Sequence, residues 1–145
     1  MSEIRIVVGN QFEFIAHLEE DDAPKTCHAF SNLLPFQNKL VQARWSGEAA
    51  WIPLGDFNVG VGFENHTSHP GAGQLLLYPG GFSETEILFP YGSTCFASKM
   101  GQLAGNHFLT IIKGSEQFKA LGHKVLWEGA QDILFQLHDG TVTKL

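Results

Sequence analysis

Polar and apolar residues alternate along residues 11 to 19, QFEFIAHLE. The apolar set that would share one side of an extended chain is Phe12, Phe14, Ala16 and Leu18. This period of two predicts a β-strand with one buried face. The run IRIVV at 4 to 8 precedes it, and Gly9-Asn10 lies between the two runs. We therefore expect these two strands to form a hairpin with a tight turn.

A helical period replaces the alternation in DDAPKTCHAFSNLL. The residues that would share one helix face are Ala23, Thr26, Phe30, Leu33 and Leu34. Asp22 is a suitable N-cap, Pro24 fits the first turn, and Pro35 ends the segment. This segment is predicted to be an amphipathic helix.

The rest of the chain is a series of short apolar runs separated by glycines. Strands are predicted at 39–46, 48–54, 74–78, 85–90 and 107–113. A second helix is predicted from Ser115 to about Glu128, with Gly129 just past its end, and a last hairpin around Asp139-Gly140. The pattern predicts a mainly β fold, a closed barrel of about eight strands with two capping helices, built from residues 1–145 as a single domain.

Composition narrows the classes of partner. The formal net charge is −6 and no run of Lys or Arg occurs, which argues against nucleic acid. No apolar stretch approaches the ~20 residues of a membrane span and no secretory signal is visible, so we expect no membrane partner and a cytoplasmic protein. Cys27 and Cys95 lack metal-type spacing, and both are expected to be small buried residues in a reducing compartment.

Several distinctive segments follow one another along nearly the whole chain. The helix start D-x-P-K-T, the segment ENHTSHPGAGQLLLYPGG, the strand ETEILFPYG and the loop LAGNHFLTIIKG are each similar to a cyclophilin segment. The combination of ARWSGEA, FEN, YPG and PYG most resembles an uncharacterised bacterial or archaeal cyclophilin-like family of unknown function. The resemblance implies a cyclophilin-like barrel with a groove on its outer surface.

The groove of a working prolyl isomerase is only partly matched. Arg44 is near the position that the resemblance gives to the catalytic arginine, but Gln42-Ala43 replaces the phenylalanine-histidine pair that frames it. Gln102 and Leu88 stand where large aromatic residues are expected. A divergent prolyl isomerase is therefore an alternative and not the leading hypothesis, and the sequence does not decide whether the protein is an enzyme.

The leading hypothesis is a barrel that binds a small polar or carboxylate-bearing molecule in the rebuilt groove. The candidate binding residues are Arg44, Glu64, Asn65, His66, Tyr78, Tyr91 and His107. A competing interpretation of Arg44 is a strand residue paired with a barrel carboxylate such as Glu48. A further alternative is an oligomeric barrel without catalysis that binds partners through its surface, which would be favoured if Trp45 and Trp51 are exposed.

Glu64, His66 and His69 also suggest metal ligands by residue type. In an extended segment, however, Glu64 and His66 face one way and His69 the other, so we predict no metal site and no cofactor. The loop is expected to lead into a strand whose residues Leu75 to Leu77 enter the barrel. A cysteine paired with His28 or His107 as nucleophile and base cannot be placed from the sequence alone.

Overall fold

The computed structural model describes residues 2–138 of the chain. Their strands are β1 (Glu3–Val8), β2 (Phe12–Leu18), β3 (Phe36–Gln42), β4 (Gly47–Gly55), β5 (His66–Thr67), β6 (Gln74–Tyr78), β7 (Thr85–Thr94), β8 (Ala97–Ser98), β9 (Gly101–Gln102), β10 (Gly105–Lys113) and β11 (Gln131–His138). The helices are α1 (Pro24–Ser31) and α2 (Phe118–Glu128), and single turns of 3-10 helix occur at Arg44–Ser46 and Ser115–Gln117.

Eight antiparallel strands form a closed barrel in the order β2-β1-β11-β3-β4-β7-β6-β10, and the pairing of β10 with β2 closes it. The short strand β5 adds to β10, while β8 and β9 pair only with each other. The predicted mainly β barrel with two helices is thus confirmed. The predicted turn is also found, since Gly9 and Asn10 both have positive φ.

The barrel interior is filled by inward side chains of the eight barrel strands and by both helices. Phe30 of α1 packs on Phe36 and Phe135, with ring centroids 5.9 and 5.3 Å away. Phe118 of α2 packs on Phe14 and Phe89. Since β3 begins with Phe36 beside α1 and ends with Gln42 beside α2, the helices cap opposite ends of the barrel.

A second apolar cluster covers the outside of β6 and β7. Its buried members are Ala43, Ala49, Leu76, Tyr78, Leu88, Phe96 and Leu103. Phe96 and Leu103 flank the β8–β9 hairpin, which therefore lies over the sheet. Leu75 and Leu77 enter the barrel as predicted, whereas Leu76 faces this outer cluster.

Three predicted boundaries are wrong. The strand predicted at 39–46 ends at Gln42, because Arg44–Ser46 form a helical turn and Gly47 has a φ of 101°. The strand predicted at 85–90 continues to Thr94, paired with β4. Helix α1 stops at Ser31, and its N-cap position is Ala23 rather than Asp22, with no side-chain cap from that residue.

Other expectations concern the cysteines, membranes and the chain end. Cys27 is buried as expected, but Cys95 is exposed, so that prediction is wrong for Cys95. Neither α1 nor α2 has the length and apolar character that crossing a membrane requires, and residues 2–138 contain no other α-helix. The hairpin predicted around Asp139-Gly140 lies outside the described residues.

Candidate functional site

The seven candidate residues lie in three separate parts of the surface. Arg44 and Tyr91 lie together in a cleft beside α2. Glu64, Asn65, His66 and His107 lie around the loop that precedes β6 and the start of β10. Tyr78 is buried under the loop that follows β6.

The cleft owes its shape to a glycine in α2. Phe118, Leu121 and Val125 bury one stripe of α2 in the barrel end, and Gly122 is buried beside them. A Cβ atom at Gly122 would lie 2.2 Å from the ring of Tyr91, so only glycine allows this ring to lie against the helix. The Tyr91 hydroxyl donates a hydrogen bond of 2.7 Å to Gln42 Oε1. Tyr91 therefore forms a fixed aromatic floor between β7 and α2.

The cleft has a volume of about 690 Å³ and a mixed lining. Its polar and charged side chains include Gln42, Arg44, Glu48, Glu116, Lys119 and His123, and its apolar side chains are Tyr91, Phe118, Leu126 and Trp127. This combination of a few charged groups with aromatic walls is typical of small-molecule sites.

Arg44 is exposed at the start of the 3-10 turn that follows β3. Among residues 2–138 it makes no ion pair, and in particular none with Glu48, although both residues line the cleft. The interpretation of Arg44 as the partner of Glu48 is therefore wrong. Its guanidinium is available to an anion that enters the cleft.

The hydroxyl of Tyr91 is kept protonated. Burial raises its pKa, and the nearby Glu48 carboxylate raises it further. The hydrogen bond to Gln42 and the charge of Arg44 act in the opposite direction without reversing the change. Tyr91 is thus a neutral hydrogen-bonding group in the cleft and not an acid or base near neutral pH.

Glu64 has a structural role at the start of α1. Its Oε1 accepts hydrogen bonds from Thr26 N and Thr26 Oγ1, at 2.6 and 2.8 Å. Buried Asn106 completes this connection, since its side-chain amide donates to Thr26 Oγ1 and to Gly62 O and its Oδ1 accepts from Glu64 N. Glu64 therefore satisfies a free N–H of the first helical turn from 38 residues away.

Asn65 and His66 hold the same loop against β10. Asn65 is in the left-handed region, with a φ of 48°, and its side chain donates to His107 O. His66 pairs with Asn106 through β5, and its ring lies 5.3 Å from the ring of Phe63. Neither residue is close to the cleft of Arg44 and Tyr91.

His107 belongs to a chain of side-chain hydrogen bonds on the outside of β2 and β10. His107 Nε2 is 2.7 Å from Thr110 Oγ1, and Thr110 Oγ1 donates to Glu19 Oε1 at 2.9 Å. The same Oε1 lies 2.6 Å from His17 Nε2. Burial lowers the pKa of His107 more than the negative charge of Glu19 raises it, so its ring is neutral at neutral pH. Burial alone would raise the pKa of Glu19, but hydrogen bonds from Thr110 and His17 outweigh it.

Tyr78 is buried, and its hydroxyl accepts hydrogen bonds from the backbone N–H groups of Phe82 and Ser83 at 3.0 and 3.2 Å. It therefore holds the loop between β6 and β7. The surrounding outer face, where the cyclophilin resemblance would place a proline pocket, is filled by Phe96 and Leu103. Leu88 is fully buried below them.

No group of three or more His, Cys, Asp or Glu side chains with the arrangement of a metal site occurs within residues 2–138. Glu64 is engaged by Thr26, and His69 contributes its backbone N–H to Thr67 Oγ1. Both contacts are made to other groups of the chain, so they stabilise the fold.

Sequence reasoning missed most of the charged and aromatic residues that line the cleft with Arg44 and Tyr91. Glu48 was considered only as a partner of Arg44, and Glu116, Lys119, His123, Leu126 and Trp127 were not considered as site residues. The helical period of α2 identifies the face that enters the barrel, but it does not indicate that the adjoining face borders a cleft. Only the approach of β7, which Gly122 permits, creates that site.

Comparisons with known proteins identify a family but no activity. A family model described as "Protein of unknown function (DUF3830)" matches residues 6–137. No curated protein matches the sequence.

Two solved structures share the fold. One is McbB in complex with tryptophan, with a TM-score of 0.70 and 17% identity over 98% of this chain. The chain spans only 47% of McbB. The other is the hypothetical protein AF2241 from Archaeoglobus fulgidus, with a TM-score of 0.62 and 17% identity over 94% of this chain and 95% of that protein. At this identity the similarity establishes the barrel alone, consistent with the predicted cyclophilin-like family of unknown function.

Proposed function

Since the chain belongs to the DUF3830 family of proteins of unknown function, we infer its function from its own surface. We propose that the cleft beside α2 binds a small aromatic molecule that carries a carboxylate. The observation that supports this proposal most is the position of Arg44. Arg44 lines a concave site, and within residues 2–138 it forms no ion pair with a carboxylate. A carboxylate ligand could accept two parallel hydrogen bonds from it.

The walls of the cleft favour an aromatic ligand. Tyr91 forms the floor, and Phe118 and Trp127 contribute apolar surface on the helix side. Trp127 is 69% exposed, which leaves its indole ring available for stacking on a ligand. McbB, which has the same fold, was crystallised with tryptophan, an aromatic carboxylate. The tryptophan of McbB supports the chemical class of the proposed ligand by analogy, but it does not locate a binding site in this chain.

Isothermal titration calorimetry with tryptophan, indole-3-propionate and indole tests the proposal. We expect the two carboxylates to bind and indole, which lacks the anion, to bind at least about tenfold more weakly. Arg44→Ala should reduce the affinity for the carboxylates by about tenfold or more, because a charge-assisted hydrogen bond contributes roughly 1.5–3 kcal/mol.

Lys99→Ala is the matched control, because Lys99 is an exposed cation on the β8–β9 hairpin and does not line the cleft. It should leave every affinity unchanged. Equal binding of indole and indole-3-propionate, or an Arg44→Ala variant that binds as the parent does, would contradict the proposal.

The alternative of a divergent prolyl isomerase receives less support from the fold. The outer face of β6 and β7 is occupied by the buried side chains of Phe96 and Leu103, so an apolar pocket for proline is not open there. We expect no acceleration of cis-trans isomerisation in a proline tetrapeptide. A rate above the uncatalysed one would support the prolyl isomerase over the proposed binding function.

An oligomeric barrel is a second candidate, favoured by one observation. Trp45 is 45% exposed and its ring meets the half-buried Trp51 edge-on, at a centroid distance of 5.8 Å. An exposed indole ring backed by a half-buried one is suited to a contact between copies of the chain. Light scattering of the wild type and of Trp45→Ser tests it: a monomer in both cases would argue against this candidate.

A further inference from the structure

Two opposite charges share the cleft without neutralising each other. Arg44 and Glu48 both line it, yet no ion pair joins them. Both charges act on the hydroxyl of Tyr91, whose pKa Glu48 raises and Arg44 lowers. The aromatic floor of the cleft therefore lies within the field of one cation and one anion.

Glu48 is held in place by β7 and not by a cation. The backbone N–H of Ser93 donates to its Oε1 at 2.9 Å. The side chain also lies close against Gly92, where a Cβ atom would be 2.5 Å from the same oxygen. Because glycine at this position makes room for the carboxylate, the negative charge is fixed beside the floor of the cleft before any ligand arrives.

The other charged residues of the cleft are less constrained. Glu116, Lys119 and His123 lie on the α2 side, are exposed, and make no side-chain hydrogen bond or ion pair within residues 2–138. Glu48 is thus the anion with a position set by the backbone, and Arg44 is the cation on the same side of the cleft.

We propose that the ligand of this cleft is a zwitterion of the amino-acid class, bound with its carboxylate on Arg44, its ammonium group on Glu48 and its side chain over Tyr91. This inference rests on the proposed function, since it assigns a second charge to the same ligand. Each ligand charge then meets a protein charge of opposite sign, and no charge is buried without a partner. A ligand with only a carboxylate would leave Glu48 facing the bound molecule unpaired.

Three compounds of similar shape test the contribution of each ligand charge separately. Phenylalanine carries both charges, 3-phenylpropionate carries only the carboxylate, and phenethylamine carries only the ammonium group. For the wild type we expect phenylalanine to bind at least about tenfold more tightly than either of the others, the factor that corresponds to about 1.4 kcal/mol.

Two variants assign the charges to residues. Glu48→Gln keeps an oxygen that accepts from Ser93 N but removes the negative charge, so the affinity for phenylalanine should fall to that for 3-phenylpropionate. Arg44→Ala should weaken phenylalanine and 3-phenylpropionate and leave phenethylamine unchanged. Asp56→Asn, which removes an exposed carboxylate that does not line the cleft, is the matched control and should leave the phenylalanine preference intact.

The outcomes distinguish this inference from the proposed function. If wild-type protein binds 3-phenylpropionate as tightly as phenylalanine, or if Glu48→Gln preserves the preference, the zwitterion assignment is wrong while the carboxylate site stands. If no carboxylate binds, both are wrong. The comparison of the three compounds on wild-type protein needs no variant and therefore tests the inference even where Glu48→Gln folds poorly.

Discussion

Burial determines how the two cysteines react. Cys27 is buried in α1, its thiol donates to Phe108 O, and burial together with the nearby carboxylates of Glu20 and Glu64 raises its pKa to about 12. The thiolate is the reactive form, so Cys27 should be inert in the folded protein. Cys95 is exposed.

We therefore expect a thiol reagent such as Ellman's reagent to titrate one cysteine in native protein and two in denaturant. In Cys95→Ser the native protein should give no rapid reaction. Two rapidly reacting thiols in native wild type would show that α1 opens far more readily than this packing implies.

Glu86 gives the protein a pH dependence of stability. Its side chain is 1% exposed on β7, and its Oε2 has no hydrogen-bond partner in the described part of the chain. Burial, and to a smaller extent the charge of Glu84, raises its pKa from 4.5 to about 8. Between these two values the folded chain holds a proton that the unfolded chain has released. The contribution of Glu86 to stability is therefore fully present below pH 4.5, and this contribution is lost as the pH rises through 8.

Glu86→Gln should remove this dependence. Between pH 5 and pH 8 the free energy of unfolding of wild type should fall by on the order of 3 kcal/mol more than that of the variant, since each pKa unit corresponds to about 1.4 kcal/mol. Urea denaturation at both pH values measures this fall for each protein. The cost of burying the glutamine amide is the same at both pH values, so it does not affect the comparison. Asp21→Asn, at an exposed carboxylate, is the control. Parallel pH profiles for Glu86→Gln and wild type would contradict the prediction.

Residue roles were harder to predict from the sequence than residue types. Glu64 and Asn65 were correctly selected as polar groups at a loop, but their partners, Thr26 and His107, lie about 40 positions away and come together only when β10 passes the start of α1. A single sequence contains no signal for such pairings. Arg44 and Tyr91 were chosen by resemblance, and the structure brings these two together.

At the scale of elements, the start of α1 depends on a distant residue. Asp22 precedes the helix with the residue type of an N-cap, yet it makes no cap, whereas Glu64 accepts from both Thr26 N and Thr26 Oγ1. The helix start should therefore be sensitive to position 64 and insensitive to position 22.

We expect Glu64→Ala to lower the free energy of unfolding by roughly 1–2 kcal/mol, as for loss of a helix cap. Asp22→Ala should change it by about 0.5 kcal/mol or less, as for an ordinary surface substitution. Glu64→Gln keeps an acceptor oxygen and should fall between the two. Urea denaturation measures all three, and a larger loss in Asp22→Ala than in Glu64→Ala would reverse the assignment of the cap.

Elements with one clear period were predicted well from the sequence. The alternation in β2 and the stripe of α2 each follow from one buried face, and the structure has both. The prediction was wrong after Gln42 because Arg44–Ser46 form a helical turn, which the local apolar and polar pattern does not distinguish from a strand. Gly47, with positive φ, was the one local signal of that change in direction.

At the scale of the whole molecule, the barrel was predictable and its outer cover was not. Eight apolar runs with turn residues between them imply a closed sheet. The covering of β6 and β7 depends instead on Phe96 and Leu103, which lie outside any periodic run. The run QLLLY of β6 indicated this arrangement indirectly, because three consecutive leucines in a strand require burial on both faces.

The β8–β9 hairpin should therefore contribute to global stability. Phe96 is fully buried, stacks edge-on against Tyr78, and packs so closely on Gly105 that a Cβ atom there would lie 2.9 Å from its ring. Phe96→Ala should lower the free energy of unfolding by roughly 3–5 kcal/mol, as for other buried phenylalanines. Met100→Ala, at an exposed position of the same hairpin, should change it by about 0.5 kcal/mol or less. Urea denaturation of the two variants compares a residue that fills the outer cluster with a neighbour that does not. If both variants unfold at the wild-type midpoint, the hairpin is a loosely attached flap and the outer face of β6 and β7 is open to a ligand after all.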